Sequence, residues 1–164
     1  MNELLSKISS YHLFNYLLPG CLFGVLASML THRPFTQRSI VLGLFVYYFY
    51  GLVISRIGSL VVEPLLRRWK FLKFADYGEF IAACRKDPKI DELSETNNMY
   101  RTLCTLIIVL ILLQGLMFIE IKFPWLRYGE WPALVTLLLT MLLLSYKKQT
   151  AYIAKRVKAN LECP

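Results

Sequence analysis

The chain is poor in the residues that carry most enzyme chemistry. Its 164 residues include two histidines, four cysteines and eleven carboxylates, against nineteen lysines and arginines. Cys21, Cys84, Cys104 and Cys163 show no C-x-x-C spacing, so neither a zinc ribbon nor a redox dithiol is indicated, and free reduced thiols are the simple reading. There is no G-x-x-x-x-G-K-[ST], no H-E-x-x-H, no G-x-S-x-G and no paired-aspartate pattern of a lipid phosphotransferase. P-loop hydrolysis, zinc proteolysis and α/β-hydrolase chemistry therefore lack their residues. No enzymatic activity, metal or cofactor is expected.

Apolar surface, by contrast, is abundant: 56% of residues are hydrophobic, 14% are aromatic and the mean hydropathy is positive, which is too apolar for a soluble domain of this length. Four segments carry it, at residues 11–31, 40–62, 103–121 and 131–146. A helix needs about 20 mostly apolar residues to cross about 30 Å of hydrocarbon, so three segments are long enough and the fourth is slightly short. The expected fold class is an all-α integral membrane protein, a single membrane domain over residues 1–164 with four transmembrane helices. No A-x-A-like cleavage site follows the first run before His32, so that segment is expected to be retained. Ahead of it, Leu4, Leu5, Ile8 and Tyr11 share one helical face, a pattern suited to lying in the headgroup layer.

Basic residues set the orientation. Fourteen lie in the amino end, the 63–101 connection and the 147–164 tail, while only Arg33, Arg38, Lys122 and Arg127 lie in the other two connections. The positive-inside rule then places both termini and the 63–101 loop in the cytoplasm. A formal charge of +8 and a pI near 9.4 suggest phosphate binding, but basic residues stacked at membrane boundaries point to anionic lipid rather than nucleic acid. On this topology His12 and His32 flank the first span on opposite sides and share no site.

Polar residues inside or beside the spans are the candidate functional positions. In "GLVISRIGSLVVEP", Arg56 falls roughly 24 Å along the second helix, near its cytoplasmic boundary. Two readings apply. Arg56 snorkels to the phosphates, or Arg56, Ser59 and Glu63 form a polar stripe facing a bundle interior, a subunit or a pore, with Gly51, Ser55 and Gly58 allowing close approach. Arg56 and Glu63 stand two turns apart, so different subunits would supply better ion-pair partners than one helix. In "YHLFNYLLPG", Pro19 removes a backbone hydrogen bond and Gly20 adds freedom, which predicts a kink or hinge, with Asn15 one turn earlier able to bond the freed carbonyl or a neighbouring helix. Gln114 beside Gly115 reads as an interhelical hydrogen bond at a close packing point. The fourth span starts at Trp131 and Pro132, and with Trp125 and Tyr128 it forms an aromatic collar at the outer interface.

The cytoplasmic segments read as a small helical cap. Asp76 is placed to cap a helix reaching about Lys86, "KDPK" turns the chain, and a second helix leads from Asp91 or Ser94 into the third span. Tyr146, Thr150, Ile153, Val157 and Leu161 recur at helical spacing, so the fourth helix is expected to continue and pack on the loop. Glu95, Asn97, Asn98 and Arg101, just below the membrane, read either as a capped helix start or as a headgroup or ligand contact.

A short all-helical chain with a kinked first span, a compact charged connection between spans two and three, and no enzyme motif resembles the small four-span membrane subunits of bacterial anti-phage systems, such as the membrane component of Kiwa-type defence. Similar small membrane effectors occur in nucleotide-signalled abortive-infection systems. The resemblance covers the whole chain in architecture and carries over no functional residues. It implies a homo-oligomer in the bacterial inner membrane, coupled to a cytoplasmic protein that does the chemistry. Two functions stand on this footing: a membrane sensor or scaffold that docks a cytoplasmic effector in antiviral defence, and a pore-forming effector that depolarises the cell. The low polar content of the spans favours the first.

Overall fold

The computed structural model describes residues 13–31 and 33–161, and the described residues form helices and short connections with no strand. His12, His32 and Cys163 lie outside them. Five helices follow in order. Helix α1 opens as a π-turn over Leu13–Leu17 and continues as an α-helix over Leu18–Thr31. Helix α2 is a continuous rod from Ile40 to Arg68 with a π-turn over Gly58–Val62. Helix α3 covers Tyr77–Lys86, α4 covers Lys89–Lys122, and a short 3-10 segment over Pro124–Gly129 leads into α5, Glu130–Leu161.

Local signals set these boundaries. Ser39 caps α2 by accepting from the Leu42 amide at 3.4 Å, and the Asp76 carboxylate accepts from the Gly78 amide at 2.8 Å to start α3 where the sequence placed it. After Pro88 the Asp87 side chain accepts from Lys89 N at 3.0 Å, so α4 starts at Lys89, a few residues earlier than its sequence suggests. Its 34 residues therefore join the polar stretch after Pro88 and the third apolar segment in one rod of about 51 Å. Helix α5 likewise runs straight through the end of its apolar stretch.

Both π-turns end shortly before a proline, Pro19 or Pro64. Proline has no N–H to give the carbonyl one turn back, and widening the preceding turn redistributes that loss. The hinge expected at Pro19 is thus a widened turn followed by uninterrupted α-helix, with no break. At the second site the Glu63 N–H bonds the Gly58 carbonyl, one residue further back than in an α-helix, and Pro64 offers the Ser59 carbonyl nothing.

Helices α1, α2 and α4 form the packed centre, around Ala27, Ile54, Leu106 and Leu110 with Phe23, Leu26 and Phe35 against them. The α1–α2 crossing is very close: a Cβ on Gly20 would overlap the Tyr47 carbonyl, and one on Gly51 would overlap the Tyr16 carbonyl. Gly20 and Gly24 stand four apart on the contact face, and Tyr47 lies over Gly24. Helix α5 is peripheral, with Met141 buried and Leu134, Val135, Leu137, Leu139, Leu142 and Leu143 exposed. Two helices, Ile40–Arg68 and Lys89–Lys122, are long and apolar enough to cross a membrane, and α1 is a shorter apolar helix.

Candidate functional site

The most organised polar group in the chain lies where α2 leaves its apolar stretch. Glu63 is buried there and its Oε2 accepts from Arg101 Nη1 on α4 at 2.6 Å. Its second oxygen, Oε1, lies 4.0 Å from Lys148 Nζ on α5. That ammonium in turn donates to the Ser59 carbonyl at 2.5 Å and to Ser59 Oγ at 2.8 Å. The Ser59 carbonyl is the one left without an amide by the π-turn and Pro64, so a lysine from another helix fills a vacancy that the α2 backbone creates. Burial holds the Lys148 pKa below the usual lysine value, a tendency opposed by the Glu63 carboxylate and reinforced by the guanidinium groups of Arg101, Arg67 and Arg56.

Below this cluster, α2 and α4 meet through small and hydroxyl residues. Thr102 Oγ1 donates to the Asn98 carbonyl at 2.8 Å and lies 3.3 Å from Ser55 Oγ, while Thr105 donates to the Arg101 carbonyl. Both threonines are fully buried, and Thr105 Oγ1 occupies the space where a Cβ on Gly58 would be. Every hydroxyl in this seam is turned onto another hydroxyl or a backbone carbonyl.

Away from the apolar stretch, α5 carries the cluster to α3. Lys148 Nζ lies 5.8 Å from the centre of the Tyr152 ring, and Tyr152 packs against Tyr77 with ring centres 6.2 Å apart. One further contact, Arg85 with the Asn160 side chain, fixes α3 to the end of α5.

A second ion cluster sits at the opposite ends of the same helices. Arg33, just after α1, donates to Glu120 on α4 at 2.5 Å and to Glu130 on α5 at 3.2 Å. Measured along α4, Arg101 and Glu120 are about 28 Å apart.

The positions singled out from the sequence divide accordingly. Glu63, Ser59 and Arg101 come together, whereas Arg56 is half-buried and makes no ion pair among the described residues. Arg56 and Glu63 do not pair within α2, and the partners of Glu63 within the chain are Arg101 on α4 and Lys148 on α5. Glu95 and Asn97 are exposed and stand apart from the cluster, and Asn98 contributes through its carbonyl. Asn15, Pro19 and Gly20 are all buried against the bundle, with Asn15 only 1% exposed and its Oδ1 lacking a partner among the described residues. Among the described residues, Gln114 Oε1 is likewise enclosed without a partner, and nothing lies within 4 Å of a Cβ added to Gly115. The close interhelical packing expected at Gln114 and Gly115 is therefore not made within the single chain.

Lys148, Thr102 and Thr105 were not foreseen from the sequence, nor was the bridge from Arg33 to Glu120 and Glu130. Their signal was available in depth. Glu63, Arg101 and Lys148 each fall within two residues of the limits read for their apolar segments, as do Arg33, Glu120 and Glu130. Among the described residues, no cluster of histidine, cysteine and carboxylates could hold a metal ion. Comparison with known proteins finds no matching family model, no matching curated protein and no matching solved structure.

Proposed function

We propose that this chain is an oligomeric membrane sensor or scaffold, of the kind found in bacterial anti-phage systems, that docks a soluble effector on its cytoplasmic face. In this reading α1, α2, α4 and α5 cross the inner membrane, both termini are cytoplasmic, and α3 with the last turns of α5 forms the docking cap. The observation that carries it is the Glu63 cluster. One carboxylate ties α2, α4 and α5 together at the level where they leave the apolar region, and the next turn of α5 stacks on α3. Displacing the cap would therefore pull on three spans at once. The two ion clusters, about 28 Å apart, match the thickness of a hydrocarbon core and support the placement of the spans between them.

Two further features agree. The exposed apolar face of α5 and the open position at Gly115 next to the unpartnered Gln114 oxygen suit contact with further copies. The seam hydroxyls bond inward, which weighs against a standing water-filled channel within one chain. Purification in mild detergent, mass determination and ion-flux assays in liposomes, with and without the cytoplasmic proteins encoded beside it, test the proposal. An oligomer that passes no ions and retains a soluble neighbour is the expected result. A current abolished by Glu63→Gln would replace it with a pore-forming effector.

A further inference from the structure

The cationic groups around Glu63 outnumber what that carboxylate can satisfy. Arg101 and Lys148 both contact it, so two positive charges share one carboxylate, and Arg67 stands one turn beyond Glu63 on the same side of α2. Lys148 makes no second ion pair among the described residues. Arg101 Nε is enclosed and has no acceptor among the described residues, although Nη1 of the same guanidinium is paired with Glu63. A shielded N–H donor of a charged group without a partner is unfavourable unless an acceptor arrives from outside. Arg67 is exposed, with its guanidinium 5.0 Å from the centre of the Phe74 ring, and Trp69, Phe71 and Phe74 beside it are exposed aromatics. Tryptophan, with an apolar ring and one N–H donor, settles at the level of lipid headgroups.

We infer that Arg67, Arg101 and Lys148 form a binding site for a phosphate group, occupied by the headgroup of an anionic phospholipid. A phosphodiester brings the missing negative charge and several acceptor oxygens, and guanidinium groups match its geometry. Helices from three parts of the chain converge on the site, so an occupied headgroup would also brace α2 against α4 and α5. The inference rests on the reading of α2 and α4 as spans, which places the cluster at headgroup depth; it does not require the scaffold function. Detergent-dependent extraction of the chain from membranes tests that placement separately.

The full-length protein, freed of co-purified lipid in a neutral detergent, is titrated with short-chain phosphatidylglycerol, phosphatidylcholine or inorganic phosphate. Bound lipid is read by native mass spectrometry and the thermal midpoint is followed in parallel. Phosphatidylglycerol is expected to bind and raise the midpoint by several degrees, with phosphatidylcholine having little effect. Arg67→Gln and Lys148→Gln should each weaken phosphatidylglycerol binding about tenfold, the loss of one charge-assisted hydrogen bond. Lys155→Gln, the same charge change on the tail of α5, should leave binding as it was. Arg67 is exposed and holds no carboxylate among the described residues, so its variant keeps the fold intact and the test decisive. An equal response to inorganic phosphate at the same free concentration assigns the site to a soluble phosphate compound instead of a lipid. Equal binding of both phospholipids, or equal loss in Lys155→Gln and Arg67→Gln, overturns the proposal.

Discussion

Glu63 serves two cations with a single carboxylate, and the consequences of removing its charge follow from burial. Glu63→Gln keeps the shape of the side chain and leaves Arg101 and Lys148 facing each other without a counter-charge. Breaking a fully buried pair costs about 3–5 kcal/mol. Here the side chains of Arg101 and Lys148 are 21% and 27% exposed, which lets water screen part of the loss and brings the expected destabilisation to about 2–3 kcal/mol. Denaturant titration in detergent measures it, and Arg101→Gln in the Glu63→Gln background should add much less than it does alone. Lys148 gives a second residue-level test. Its pKa is lowered in the folded chain, so the folded state binds fewer protons than the unfolded state between that lowered value and about 10.5. Stability attributable to Lys148 therefore rises with pH through that window. Tyr152, whose pKa is raised chiefly by burial, works in the opposite direction above about 10. The difference in thermal midpoint between the wild type and Lys148→Met isolates the lysine, and it should move in favour of the wild type as pH climbs.

At the scale of the element, prolines and glycines decide how the helices run and meet. Pro19 and Pro64 are visible in the sequence as sites of backbone disturbance, but a lost hydrogen bond can be accommodated by a kink, a break or a π-turn. Which one forms depends on the packing around it. Gly20 is packed so closely against the Tyr47 carbonyl, and Gly51 against the Tyr16 carbonyl, that straight helix axes can pass at this distance only without side chains. Gly20→Val should force α1 from α2 and cost about 3 kcal/mol or more, since the obstructing atoms are backbone and cannot rotate away. Loss of thermal stability in detergent, without loss of membrane insertion, is the expected signature. Caps behave differently from crossings: Asp76 was legible as the start of α3 because its bond to the Gly78 amide is local.

At the scale of the whole molecule, the chain is a three-helix centre with a long peripheral helix and a small cap. Besides Pro19, only seven apolar side chains of the described residues are buried, few enough that most of the apolar surface must face something other than this chain. Lipid covers such a surface without a partner, because hydrocarbon solvates leucine as well as another leucine does. Gly115 separates lipid from a second copy. Within the chain it has room for any side chain, so Gly115→Leu should leave the fold and thermal midpoint nearly unchanged, within about 0.5 kcal/mol. If further copies pack at Gly115 and Gln114, the same substitution should lower the oligomer mass in detergent by light scattering; an unchanged mass places that face against lipid.

The amino-acid sequence by itself determined that this protein is helical and apolar, with polar groups confined to a few depths. It also placed Asp76 at the start of α3 and located every charged residue of the two clusters at the margin of an apolar segment. These properties depend on composition and on neighbours within one or two turns. Only the tertiary structure decided which margins meet. Glu63, Arg101 and Lys148 are separated by 38 and 47 residues along the chain, and nothing local singles out Arg101 and Lys148 among the basic residues at the segment margins as the partners of Glu63. That choice follows from how α2, α4 and α5 pack, which depends on a glycine, Gly58, that leaves room for Thr105 of α4, and on a proline that leaves one carbonyl open to a lysine from another helix.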